Sequence, residues 1–157
     1  MLDNDNGVYA IGDNGDGCLG LGHEQRRASW TKVNGLDESE KVIKIQAGEN
    51  CSAILTHKAL YVFGCILFGE MNNKTNTPTK IPLQNVIKIS LTNLHILALT
   101  KDGKLFAWGD NEDGQCGVGS NDDQIKIPTR VPIPEEYNVD DISAGFGHSM
   151  IKCTAKK

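Results

Sequence analysis

The glycine-rich stretch at residues 13–22, DNGDGCLGLG, returns at residues 110–119 as DNEDGQCGVG, and this repetition limits the possible folds more than any other feature of the chain. A shift of 97 positions superposes Asn14 on Asn111, Gly17 on Gly114, Gly20 on Gly117 and Gly22 on Gly119. Each stretch follows a short alternating run that holds an aromatic residue and stops at glycine: VYAIG at residues 8–12 and LFAWG at 105–109, with a third such run, LYVFG, at 60–64. A second block also recurs. Residues 42–56, VIKIQAGENCSAILT, return at 86–100 as VIKISLTNLHILALT and at 139–153 as VDDISAGFGHSMIKC. In this alignment Ile45, Ile89 and Ile142 coincide, as do Cys51, His95 and His148, and Ala47-Gly48 falls on Ala144-Gly145. Between the blocks lie Thr31-Lys32-Val33, Thr79-Lys80-Ile81 and Thr129-Arg130-Val131. The 157 residues therefore read as one repeat domain, residues 1–157, with copies at about 7–56, 59–100 and 103–154. In the middle copy the glycine loop has shrunk to residues 65–71, CILFGEM, where Gly69 alone keeps the spacing of Gly17.

Each copy reads as four short strands: the Thr-base-apolar segment first, then residues 42–47 and 51–56 with their counterparts, and last the aromatic run ending in glycine. No segment sustains an apolar period of about 3.6 residues with helix caps, so the expected class is all-β. Asp102-Gly103 sits between two strand-like runs and signals a tight hairpin, because both residue types tolerate positive φ. His57-Lys58-Ala59 replaces it in the first copy, so that turn should differ. Glycines held at fixed offsets read as backbone requirements rather than ligand contacts. The expected structural set is Gly12, Gly17, Gly20, Gly22, Gly48, Gly109, Gly114, Gly117, Gly119 and Gly145, together with His95 and His148 as repeat-locked hydrogen bonders. A four-stranded unit repeated with short linkers is what a propeller blade requires. The small residues at Ala47-Gly48 and Ala144-Gly145 should let neighbouring strands or blades approach closely.

The formal net charge of −4 and the lack of a basic stripe argue against direct nucleic-acid binding. No run approaches the ~20 apolar residues of a membrane helix, and the opening residues MLDNDNGVYA have no secretory character, so a cytoplasmic or nuclear location is expected. The five cysteines, Cys18, Cys51, Cys65, Cys116 and Cys153, show no zinc-ligand spacing and read as reduced thiols. Ser149 beside His148 lacks a matched acid and a nucleophile turn. Asp110, Glu112 and Asp113 lack the terminal glutamate of a twelve-residue calcium loop. Ser-Asn-Asp-Asp after Gly119 would repel phosphate. The expectation is accordingly no catalysis, no cofactor and no metal.

The combined pattern resembles the regulator of chromosome condensation repeats. In that family an aromatic strand ending in Gly is followed by Asn-x-x-Gly-Gln-x-Gly-x-Gly and later by Ala-Gly-x-x-His-Ser. Trp108-Gly109, Asn111, Gly114-Gln115, Gly117, Gly119, Ala144-Gly145 and His148-Ser149 follow it closely; the first copy has Cys18 in place of Gln and Cys51 in place of His. The resemblance implies a β-propeller of four-stranded antiparallel blades, here a partial one of about three blades where relatives close about seven. It also implies a function, with two alternatives to it. The first reading is a non-catalytic protein-binding module, and the lesser alternative is a regulatory propeller fragment of a larger multidomain protein. The alternative is a guanine-nucleotide exchange factor for a Ran-like small GTPase; no copy has room for the inserted wedge that exchange in the best-known relative uses. The loops after the aromatic strands differ most between copies, so the expected partner contacts are His23, Glu24, Arg26 and Arg27 in one and Asn121, Asp122 and Asp123 in the other. The open ends of such an arc also invite self-association, and Val8–Ile11 is expected to be frayed or held by another molecule rather than paired with residues 148–153.

Overall fold

A computed structural model describes residues 7–65 and 74–157; Gly69 and residues 66–71 of the shortened loop lie outside them. The described residues form twelve strands and no helix. These are β1 Tyr9–Gly12, β2 Arg27–Lys32, β3 Val42–Ala47, β4 Cys51–Thr56, β5 Leu60–Cys65, β6 Lys74–Ile81, β7 Val86–Leu91, β8 His95–Thr100, β9 Leu105–Asp110, β10 Gln124–Arg130, β11 Tyr137–Ala144 and β12 Ser149–Ala155. They pair antiparallel in sheets ordered β3-β4-β5-β6 and β7-β8-β9-β10, with two-stranded sheets β1-β2 and β11-β12 besides. The chain is all-β, a partial propeller of four-stranded antiparallel blades. Its three blades' worth of strands are laid out as two complete blades and two halves.

That layout corrects the expected strand grouping. The Thr-base segment pairs with the aromatic strand before it, Tyr61 opposite Lys80 and Val62 opposite Thr79, and again Ala107 opposite Thr129. The physical reason is locality: the aromatic strand runs into the glycine loop and the chain returns beside it, closing a hairpin at low entropic cost. Each blade therefore begins at the Val-Ile block and ends at the Thr-base strand. β1-β2 is an outer pair without inner strands, and β11-β12 an inner pair without outer ones. Residues of β1 do not pair with β12, as expected, but neither are they frayed. Ala10 lies opposite Thr31, and Val33 N–H donates to the Val8 carbonyl at 2.8 Å.

Strand alternation sends side chains to both faces of each blade. Cys51, Ala53, Leu55, Leu60 and Val62 of the first blade pack against Val86, Ile89 and Leu91 of the second. From the opposite face Ile54, Tyr61 and Phe63 pack with Val8 and Ala10 of the leading half-blade. Trp108 is fully buried, and Ile142 and Ala144 of the trailing half-blade pack against the same cluster. The loop glycines have the positive φ expected of them, Gly114 at 74° among them. Gly48 and Gly145 also serve a local purpose, and at Gly48 the backbone of Thr92 in the next blade comes within 3.5 Å of where a Cβ would lie. A Cβ on Gly48 would fall 2.9 Å from Cys51 Sγ, and one on Gly145 2.3 Å from the His148 ring, so each leaves room for the side chain three residues on.

Candidate protein-binding face

Antiparallel order places the glycine loops (β1 to β2, β9 to β10) at the same end of the blades as the turns β3-β4, β7-β8 and β11-β12. Two hydrogen bonds fix this: Asp110 N–H to the Leu94 carbonyl at 2.7 Å and Ser149 Oγ–H to the Gln115 carbonyl at 2.7 Å. Each long loop is built around one buried asparagine. Asn14 Oδ1 accepts from Leu19 N–H at 2.9 Å, while its amide donates to the carbonyls of His23 at 2.6 Å and Gln25 at 3.2 Å. Asn111 repeats this with Cys116 N–H at 3.2 Å and the carbonyls of Ser120 at 3.3 Å and Asp122 at 2.8 Å. A side chain that crosses its own loop, with each bond worth a net ~1 kcal/mol, makes the loop a rigid platform. The sequence showed both asparagines at equivalent positions but not that they hold the loops.

The blades are tied by the residues at the Cys51 and His95 position. Ser149 gives its only hydrogen to Gln115, so at 2.8 Å it accepts from His95 Nε2, which fixes the proton on that nitrogen. In the first blade Cys51 Sγ–H donates to the Thr92 carbonyl at 3.1 Å, and Ser52 Oγ–H donates to the Cys18 carbonyl at 2.8 Å. Burial pushes the Cys51 thiol up to about 12, so it stays protonated and donates. Burial also lowers the His95 imidazole below its ordinary 6.5, against an opposing pull from Asp110 and with a small addition from His148. As pH falls from 6.5 through the lowered folded value, the unfolded chain takes up a proton that the folded one resists. Urea midpoints should therefore decline over that window, and the decline should be shallower in His95→Asn.

The chain matches the description "Regulator of chromosome condensation (RCC1) repeat" over residues 5–55 and 102–151, with a second description of the same repeat at 86–115. This chain belongs to the RCC1 repeat family. It is 32% identical to the Ultraviolet-B receptor UVR8 of Arabidopsis thaliana, covering 93% of this chain and 34% of the receptor. It is 28% identical to the human E3 ubiquitin-protein ligase HERC2, covering 99% of this chain and 3% of that protein. The crystal structure of Kap60 bound to yeast RCC1 (Prp20) contains a chain that superposes with a TM-score of 0.80 at 25% identity, over 94% of this chain and 36% of that one. Human WBSCR16 shares the fold, with a TM-score of 0.64 at 22% identity over 97% of this chain and 54% of that one. The RCC1-repeat chain thus spans about a third or less of the length of these two curated relatives.

Within this RCC1-repeat face the expected contact residues divide in two. His23 is half-buried; its Nε2 lies 2.6 Å from an Arg27 guanidinium nitrogen, and its carbonyl anchors Asn14. Glu24 forms an ion pair with Lys74 at 3.0 Å, and Arg26 is exposed. Asn121, Asp122 and Asp123 are all exposed. Ser120 Oγ–H donates to the Asp122 carboxylate at 2.7 Å, and the Asp123 carbonyl accepts from Asn111 N–H at 2.7 Å. The backbones of His23, Asp122 and Asp123 build the loops, and Glu24, Arg26, Asn121, Asp122 and Asp123 stay exposed. Sequence reading missed Phe146, which is 72% exposed on the β11-β12 turn. Its neighbour Gly147 sits against Asp113, whose Oδ2 would be 2.9 Å from a Cβ there. Phe146 stands where the other copies have Glu49 and Asn93. Glu49 is exposed and Asn93 half-buried, and the two are hydrogen-bonded to each other from one blade to the next, Glu49 N–H donating to Asn93 Oδ1 at 3.0 Å. The aromatic-for-polar exchange at an aligned turn was the signal available in the sequence. Among the described residues no helix is long and apolar enough to cross a membrane.

Proposed function

We propose that this chain is a non-catalytic protein-binding repeat module, acting in the cytoplasm or nucleus, whose partner meets the face of the glycine loops. The observation that carries the reading is Phe146, an exposed aromatic on a rigid turn beside the acidic loop of Asp110, Glu112, Asp113, Asp122 and Asp123. An aromatic anchor rimmed by charge is the usual composition of a contact centre, and the acidic rim favours a basic partner surface. The complex of yeast RCC1 with Kap60 supports protein binding by a relative with this fold. The test is cross-linked capture with wild type, with Phe146→Ala, and with Glu24→Lys, Arg26→Glu, Asp122→Lys and Asp123→Lys combined. Phe146→Ala should weaken capture tenfold or more, about 1.4 kcal/mol, and the charge reversals should change which proteins are held. An unchanged partner set in both variants would remove the face from consideration. In a fluorescent-nucleotide assay on a Ran-like GTPase, this chain should not accelerate release. Catalytic release would instead support the exchange-factor reading.

A further inference from the structure

We infer that Asn34 is a site of spontaneous covalent modification, where the side-chain amide is lost as ammonia, whereas Asn14, in the same Asn-Gly dipeptide, is protected by its loop. Asn-Gly stands at residues 6–7, 14–15 and 34–35, and residue 6 lies outside the described residues. In this dipeptide the backbone nitrogen of the glycine attacks the asparagine Cγ. A bond forms from that nitrogen to Cγ, and the bond from Cγ to the amide nitrogen breaks. The attacking nitrogen gives up its proton, the leaving nitrogen takes one, and ammonia departs from a five-membered succinimide. Water then opens the ring at either carbonyl, giving aspartate or its isomer in which the main chain runs through the side-chain carbon. The net change is one water in and one ammonia out, with no oxidant or cofactor. Glycine favours the attack because it has no Cβ to crowd its nitrogen.

At Asn14 the fold withholds both reacting atoms. The side chain is fully buried, its Oδ1 accepts from Leu19 N–H at 2.9 Å, and its amide donates to the carbonyls of His23 at 2.6 Å and Gln25 at 3.2 Å. The attacking nitrogen is engaged as well, because Gly15 N–H donates to Asp13 Oδ2 at 3.2 Å. Cγ cannot turn toward Gly15 without breaking the bonds that hold the loop, so reaction at Asn14 waits for local opening.

At Asn34, in the connection from β2 to β3, the same dipeptide has none of these restraints. Asn34 and Gly35 are both exposed, and among the described residues no hydrogen bond involves the Asn34 side chain or the Gly35 N–H. Gly35 has a φ of 88°, and a Cβ there would meet nothing closer than Pro78 Cδ at 3.8 Å, so the ring has room to close over its nitrogen. Both residues line a cavity of about 320 Å³ whose wall also holds Lys32, Asp37, Glu38 and Glu40. The product therefore sets a new carboxylate among three others, and the isomer lengthens the main chain by one carbon beside the buried Val33, whose N–H donates to the Val8 carbonyl at 2.8 Å. The chain thus carries a slow timer that adds one negative charge at the end of the blades opposite the glycine loops, away from the proposed binding face.

The test is to hold the full chain folded in a mildly alkaline buffer, withdraw samples over time, digest them with trypsin and weigh the peptides. Asn34 is the sole asparagine of the tryptic peptide 33–41, VNGLDESEK. That peptide should gain about one dalton as water replaces ammonia, and part of it should accept a methyl group from an isoaspartate-specific methyltransferase. Asn14 lies in the peptide 1–26 together with Asn6, so fragment ions are needed to separate the two. They should show Asn14 converting at least tenfold more slowly than Asn34, about 1.4 kcal/mol of protection. In urea the two should convert at similar rates. An unaltered peptide 33–41 from the folded chain, or an Asn14 that keeps pace with Asn34 in the fold, would overturn the inference. A tenfold difference that persists in urea would overturn it too, since neighbouring sequence and not the fold would then set the rates.

Discussion

Gly109→Ala should destabilise the protein by on the order of 3 kcal/mol or more, against about 1 kcal/mol for Gly103→Ala. Both glycines have positive φ, 117° and 77°. They differ in what surrounds them. A Cβ on Gly103 meets nothing within 4 Å, so Gly103→Ala bears only the backbone strain. A Cβ on Gly109 would lie 2.3 Å from Leu94 O and 2.7 Å from His95 Cα. Those atoms are backbone at the start of the adjacent central strand and in the turn that leads into it, and cannot rotate away. The insertion would push β8 from β9 at the end of the sheet where Asp110 N–H bonds the Leu94 carbonyl at 2.7 Å. Urea unfolding of the two variants measures the contrast; equal midpoints would show that β8 yields without cost.

Trp108→Ala should cost about 3–5 kcal/mol, a large share of the ~5–15 kcal/mol that holds a domain of this size. Trp108 has no exposed surface and packs in the cluster that joins the second blade to its neighbours. Its indole N–H has no hydrogen-bond partner among the described residues, so the loss is one of packing rather than polar bonding. Trp108→Phe should therefore recover much of the stability, since it keeps an aromatic ring in the cavity and deletes an unbonded donor. A Trp108→Phe variant no more stable than Trp108→Ala would mean that the indole volume itself sets the cluster.

The positions at fixed offsets were legible in the sequence because each serves its own loop or strand. Asn14 and Asn111 act within about a dozen residues of themselves, so the requirement recurs wherever the loop recurs, whereas Gly17 also makes room for the backbone of Asn76, 2.8 Å from where a Cβ would lie. The Val-Ile blocks announced strands for the same reason, since alternation is set by each strand's own two faces. His95 was legible as a structural residue, although its partner Ser149 lies 54 positions away.

Which strand joins which sheet was not legible. Thr79 to Ile81 has a strand on either side in sequence, and both groupings give four strands per copy. Only the antiparallel return of the chain after the aromatic strand decides that β6 belongs with β5. Phe146 escaped for a related reason. An aromatic residue in a β-rich sequence reads as core until the turn that carries it is seen to face solvent. The contrast between Ile45 and Ile89, identical in type and in repeat position, lies beyond the sequence altogether. Burial belongs to the neighbouring blade, and the arc places one beside Ile89 and not beside Ile45.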